Sequence, residues 1–151
     1  MTRTTFLSTV AVLVVAIGPL SVSPAAAQSS VNLETVTDGL SYPWSVAFLP
    51  GGGYLVTERD GLLKFVSADG GQSVVPGTPE VFAQGQGGLL DVVLSPDFET
   101  DRTIFLSFSQ GSPEGAGTSL YRAILAEDGE GYRLQDGETV FRANNLAYGG
   151  R

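Results

Sequence analysis

Gly85-Gln86-Gly87-Gly88-Leu89-Leu90-Asp91-Val92-Val93-Leu94-Ser95-Pro96-Asp97-Phe98 joins a glycine-rich loop to an apolar run and a tight turn. The run has an echo upstream. Ser45-Val46-Ala47-Phe48-Leu49-Pro50 aligns with Asp91-Val92-Val93-Leu94-Ser95-Pro96 at an offset of 46 residues. In both copies a second apolar run follows the turn, over residues 54–57 in the first and 104–108 in the second. A β unit recurring every 40–50 residues or so marks a propeller blade. The chain is therefore expected to be all-β and to supply roughly the first two blades of a β-propeller.

Composition narrows the chemistry. The 151 residues carry 20 Gly, no Cys and no His, with a formal net charge of −8. Without Cys there are no disulfides, thiolate nucleophiles or Cys-type metal sites. Without His the commonest general base and transition-metal ligand are missing. The acidic surplus argues against a nucleic-acid partner, since nothing could neutralise a row of phosphates. Abundant Gly among short apolar runs suits a turn-rich β fold.

Residues 1–27 read as a signal peptide. Arg3 gives a positive start, residues 10–17 are an apolar run, and Ala25-Ala26-Ala27 is a small-residue cleavage site, so the mature chain begins at Gln28. An uncleaved anchor is the competing reading. The short run, closed by Gly18-Pro19, argues against it. The expectation is a periplasmic or secreted protein with no membrane insertion after cleavage.

Residues 28–151 are read as the N-terminal part of a propeller domain. Residues 31–37 alternate apolar and polar and are expected to form a strand. Strands over 44–49, 54–57 and 62–66 follow, separated by Pro50-Gly51-Gly52-Gly53 and Asp60-Gly61. Residues 67–79 read as a loop and 80–82 as a short outer strand. Residues 109–117 read as a flexible connection, 119–125 as a strand, 127–131 as a hairpin tip and 138–142 as a last strand. The tail from Asn144 to Arg151 completes no unit, and an arc of two blades leaves open sheet edges. The chain thus reads as truncated; a complete small β-sandwich with an irregular tail is the alternative.

Three quoted pieces occur in a telling order: Leu40-Ser41-Tyr42-Pro43-Trp44-Ser45-Val46-Ala47-Phe48-Leu49-Pro50, then Leu55-Val56-Thr57-Glu58-Arg59-Asp60-Gly61, then the stretch from Gly85 to Phe98. Together they resemble the soluble sugar dehydrogenases that use pyrroloquinoline quinone (PQQ), the glucose/sorbosone dehydrogenase family. The resemblance runs from about Leu40 to Phe108. It implies a six-bladed propeller with PQQ over the central channel and Ca2+ against the cofactor. It implies oxidation of an aldose sugar at its anomeric carbon to a lactone, with a His as general base and an external electron acceptor. PQQ would carry the redox chemistry and the protein would supply position and electrostatics.

Carried over residue by residue, the resemblance assigns Gln86 to substrate binding, with Gly85, Gly87 and Gly88 allowing close backbone approach. A loop Gln that only caps the strand is the plainer alternative. No catalytic residue is visible. In one register Ala147 stands where the family has its His; in the other the His lies beyond Arg151, as do the residues that hold PQQ and Ca2+. By either register the fragment alone is expected to be inactive.

Other candidates read as structural. Glu58 and Arg59 point to opposite faces and so form no simple dyad; one of them facing the channel is the alternative to the expected turn-supporting ion pair. Asp91 opens an inner strand, Asp97 bonds local amides, and Phe98 fills the core. Asp128 and Glu130 lack EF-hand spacing and sit at a solvated tip. Trp44 is expected to pack between blades. Two other functions compete: a non-catalytic extracytoplasmic β-propeller binding module, and a propeller hydrolase or lactonase. The second would need a calcium-binding cluster of carboxylates and Asn, and none is apparent.

Overall fold

The computed structural model describes residues 31–129 and 131–144. The expected leader, Glu130, Ala147 and Gly149 to Arg151 lie outside them. Among the described residues, eight strands form two four-stranded antiparallel sheets. The first holds β1 (Pro43–Phe48), β2 (Tyr54–Glu58), β3 (Leu63–Val66) and β4 (Gln72–Val75), side by side in chain order. The second repeats the meander with β5 (Leu89–Leu94), β6 (Thr103–Ser112), β7 (Gly115–Asp128) and β8 (Gly131–Arg142). A single helical turn, α1 (Phe98–Asp101), links β5 to β6. These are two blades of a β-propeller, as the repeat leads one to expect.

The register makes the repeat exact at the level of hydrogen bonds. Val46 lies opposite Val56 across β1–β2, and Val92 opposite Leu106 across β5–β6. The Ser45 N–H donates to Thr57 Oγ1 at 3.1 Å, and its counterpart, the Asp91 N–H, donates to Ser107 Oγ at 3.0 Å. Both strand pairs carry an irregularity in register just before these residues or across them.

The core lies between the sheets. Alternation on β2 and β3 sends Leu55 and Leu63 to the face that meets the second sheet, where both are fully buried. Ile104, Leu106 and Phe108 answer from β6 at the same period of two. Leu89, at the foot of the glycine-rich loop, is buried among them. Phe98 fills the core as expected and is 3 % exposed.

Several expected elements differ. Residues 31–37 form no strand: Val31 and Leu33 are exposed, and the end of the segment is held by side chains rather than a backbone ladder, the Thr37 hydroxyl donating to the Gly70 carbonyl at 3.0 Å and Gln72 Nε2 of β4 donating to Thr37 Oγ1 at 2.7 Å. The supposed loop at 67–79 contains β4, whose burial is confined to Val75, so no alternation betrayed it. Residues 80–82 are irregular. The connection at 109–117 is a tight hairpin in which Ser112 pairs with Gly115. The hairpin tip expected at 127–131 is borne out by the pairing of Asp128 with Gly131. Asp97 bonds no amide through its side chain; Asp101 takes that role, accepting from the Thr103 N–H at 2.8 Å and the Ser95 hydroxyl at 2.8 Å.

Candidate functional site

Antiparallel order brings four chain segments to one end of the two sheets: the start of β1, the β2–β3 turn, the β4–β5 loop and the β6–β7 hairpin. Loops at one end of a rigid β scaffold are where such folds carry binding residues. Gln86 lies here. The Gly87 N–H donates to the Gln84 carbonyl at 2.9 Å, closing a four-residue turn with Gly85 at φ +60° and Gln86 at its tip. The Gln86 side chain is exposed and makes no hydrogen bond to any described residue. Its amide therefore has donors and an acceptor to offer a ligand.

Gly88 sets where that turn sits. It has φ +143°, and a Cβ there would lie 2.1 Å from the Arg59 carbonyl oxygen. That same carbonyl accepts the Leu89 N–H at 2.9 Å, so a residue with a side chain would push the blades apart. The expected close backbone approach is thus made to the first blade.

Arg59 joins three parts of the site. Its N–H donates to the Tyr42 carbonyl at 3.1 Å. Its guanidinium lies over the Tyr42 ring, 4.4 Å from the centroid, while Nε sits 3.5 Å from Asp60 Oδ1. Tyr42 has φ +45°, a conformation uncommon for a bulky residue. Together with Pro43, Trp44, Gly85 and Gln86, these two residues line a concavity of about 340 Å³.

Trp44, which the sequence led one to expect between blades, does not pack between the two described ones. It is 53 % exposed and lines this concavity, because it sits on the face of the first sheet turned away from the second. Tyr42 has no signal in the sequence as a lining residue, and of the pair Glu58 and Arg59 it is Arg59 that lines the concavity. Nothing in a linear pattern signals that a tyrosine takes positive φ or that an arginine 17 residues on stacks against it.

The other acidic candidates are structural. Glu58 is 2 % exposed, holds Lys64 at 2.8 Å across the β2–β3 turn, and accepts the Ser41 N–H at 2.7 Å. That is the turn-supporting ion pair, made with Lys64. Asp91 accepts from the Ser45 hydroxyl and from the Val92 N–H.

Chemically, the concavity offers an amide, a guanidinium and aromatic faces. That set suits a neutral polyhydroxylated ligand: rings cover C–H faces while the amide and guanidinium bond hydroxyls. No lining residue is a carboxylate or imidazole that could take a proton. Among the described residues no group of three or more acidic, His or Cys side chains could hold a metal ion. One partly exposed guanidinium, already beside Asp60, does not balance a tricarboxylate quinone. The described residues therefore do not by themselves fit PQQ or Ca2+; they form one wall of a site.

The fold defines a pair of propeller blades with a concavity at one end. Sequence comparison gives the family: the glucose/sorbosone dehydrogenase profile matches residues 40–151, and the chain belongs to that family. It is 46 % identical over 120 residues to the Escherichia coli (strain K12) aldose sugar dehydrogenase YliI, covering 78 % of this chain and 32 % of that protein. The crystal structure of the soluble E. coli aldose sugar dehydrogenase in its apo-form superposes with a TM-score of 0.69 at 45 % identity, over 75 % of this chain and 33 % of that one. The PQQ-bound aldose sugar dehydrogenase of Streptomyces coelicolor gives a TM-score of 0.65 at 35 % identity, over 74 % and 33 %. The chain thus spans about a third of the length of these relatives.

Proposed function

We propose that this chain contributes the first two blades of a PQQ-dependent oxidoreductase that oxidises aldoses at the anomeric carbon to lactones. Gln86 binds the sugar. Its placement at the tip of a turn, with an unengaged amide over the concavity, supports this role. The amide orients a sugar hydroxyl by donating to one oxygen or accepting from its proton, and Trp44 and Tyr42 limit water on that side. The general base, the groups that hold PQQ and Ca2+, and the path to an external electron acceptor come from chain beyond Arg151. On this reading residues 1–27 are a leader for export to the periplasm or the exterior, residues 28–151 are propeller, and the 151 residues alone turn over no sugar.

A chimera tests the proposal. Residues 40–151 would replace the matching third of the E. coli relative, and aldose-dependent dye reduction would be assayed with added PQQ and Ca2+, the parent enzyme as control. The chimera should be active, and Gln86→Ala should lower kcat/KM by roughly 10- to 100-fold, the loss of one or two hydrogen bonds to a reacting ligand. A folded chimera that reduces no dye would contradict the proposal and favour a binding module.

A further inference from the structure

Two residues with positive φ, Tyr42 at +45° and Gly88 at +143°, close on one side chain, that of Arg59. A bulky residue at positive φ carries strain, and such strain persists only where its neighbours impose it. Here they do so on both sides of Tyr42. The Ser41 N–H donates to the buried Glu58 carboxylate at 2.7 Å, and the Tyr42 carbonyl accepts the Arg59 N–H at 3.1 Å. The ring is thereby laid against the Arg59 guanidinium, with Cζ 4.4 Å from the ring centroid.

Gly88 closes the other side. A Cβ there would come 2.8 Å from Arg59 Cγ, so the stem of Arg59 packs directly on the Gly88 backbone. The Arg59 carbonyl takes the Leu89 N–H at 2.9 Å, and the Gly88 carbonyl takes the Ser109 N–H at 2.8 Å. Gln86 stands just before Gly88, in the turn closed by the Gly87–Gln84 bond. All of these contacts join residues of the two described blades.

We propose that Arg59 is the positioning residue of the Gln86 turn. Its side chain is a strut: Tyr42 backs it, Gly88 rests on it, and the turn that carries Gln86 is fixed where β1 begins. A side-chain amide orients a hydroxyl only as well as its own backbone is placed. The catalytic consequence rests on the reading that Gln86 binds the sugar; the strut does not.

Variants of the chimera, with PQQ and Ca2+, test this. Arg59→Ala removes the strut. Arg59→Met keeps a stem that packs on an aromatic ring but offers no hydrogen-bond donor. Tyr42→Gly removes the backing ring and suits the backbone at φ +45°. Hydrogen exchange followed by mass spectrometry needs no sugar. Over residues 84–89 exchange should quicken about tenfold in Arg59→Ala and Tyr42→Gly and stay near the parent rate in Arg59→Met, with no change over residues 103–108 in any of them. Aldose-dependent dye reduction is the second measurement. Arg59→Ala should lower kcat/KM by about 5-fold, and Arg59→Met should recover most of that loss. In a Gln86→Ala background Arg59→Ala should cost less than about 2-fold, because the strut then has nothing to position.

Unchanged exchange over residues 84–89 in Arg59→Ala or in Tyr42→Gly overturns the proposal. So does an Arg59→Ala loss that persists in full without Gln86, or Arg59→Met as slow as Arg59→Ala, since the guanidinium would then act on the sugar itself. If Gln86→Ala reduces dye at the parent rate, the sugar-binding reading falls, and exchange alone decides on the strut.

Discussion

Ser45 and Asp91 occupy the same position in successive blades, 46 residues apart, and are hydrogen-bonded to each other, the Ser45 hydroxyl donating to the Asp91 carboxylate. One repeat position thus serves two roles: in the first blade it reaches forward, and in the second it receives. Breaking the bond from either side, by Ser45→Ala or Asp91→Ala, should destabilise the chain by about 1 kcal/mol. The double variant should cost clearly less than the sum of the two. Urea denaturation of the four species checks this; strict additivity would show that the pair carries no coupling.

The Glu58–Lys64 pair should matter more. Both groups are largely withdrawn from water, and Glu58 also accepts the Ser41 N–H. Lys64→Met leaves a buried carboxylate without its cation and should cost about 3 kcal/mol or more. Adding Glu58→Gln should recover part of that loss, since the amide oxygen still accepts from Ser41. Chemical denaturation of single and double variants measures the recovery.

Two glycines of the β4–β5 loop should respond unequally to alanine. At Gly85 an added Cβ meets open space, so Gly85→Ala should cost only about 1 kcal/mol, the strain of a side chain at φ +60°. At Gly88 the Cβ would fall 2.1 Å from the Arg59 carbonyl oxygen, so Gly88→Ala should cost about 3 kcal/mol and loosen the Leu89–Arg59 bond. Amide exchange at Leu89 reads the loosening directly. Equal effects at the two sites would contradict the packing described.

Asp101 should titrate low. The Thr103 N–H, and after it the Ser95 hydroxyl, bond its carboxylate and hold its pKa below the ordinary value of 3.8. A carboxyl lowered in the folded state adds stability above its unfolded pKa and loses it as pH falls through the folded one. The Thr103 amide resonance should therefore titrate with a midpoint below 3.8, and Asp101→Asn should abolish the transition. A midpoint at or above 3.8 would contradict the bonding.

The blades were legible because Val46 and Val92 fall at matching places in apolar runs bounded by turn residues, a pattern that survives without any tertiary knowledge. The outer strand β4 was not, because Gln72, Ser73 and Val74 face solvent and only Val75 is buried. Residues 31–37 misled in the opposite way: alternation alone does not make a strand without a backbone ladder, and here the contacts to Gly70 and Gln72 run through side chains. Gln86 stood out through family resemblance, and its loop showed in the glycines. The stacking of Arg59 on Tyr42, and Trp44 on the face of the first sheet turned away from the second, could not be placed from sequence, because they depend on the positive φ of Tyr42 and on which face of the first sheet meets the second.

The most direct test is a crystal structure of the chimera with PQQ and an aldose bound. The account predicts the Gln86 amide within hydrogen-bond distance of a sugar hydroxyl, at the end of the sheets where β1 begins and the β2–β3 turn lies. A sugar bound in the channel with Gln86 turned away from it, and its hydroxyls satisfied by other residues, would contradict it.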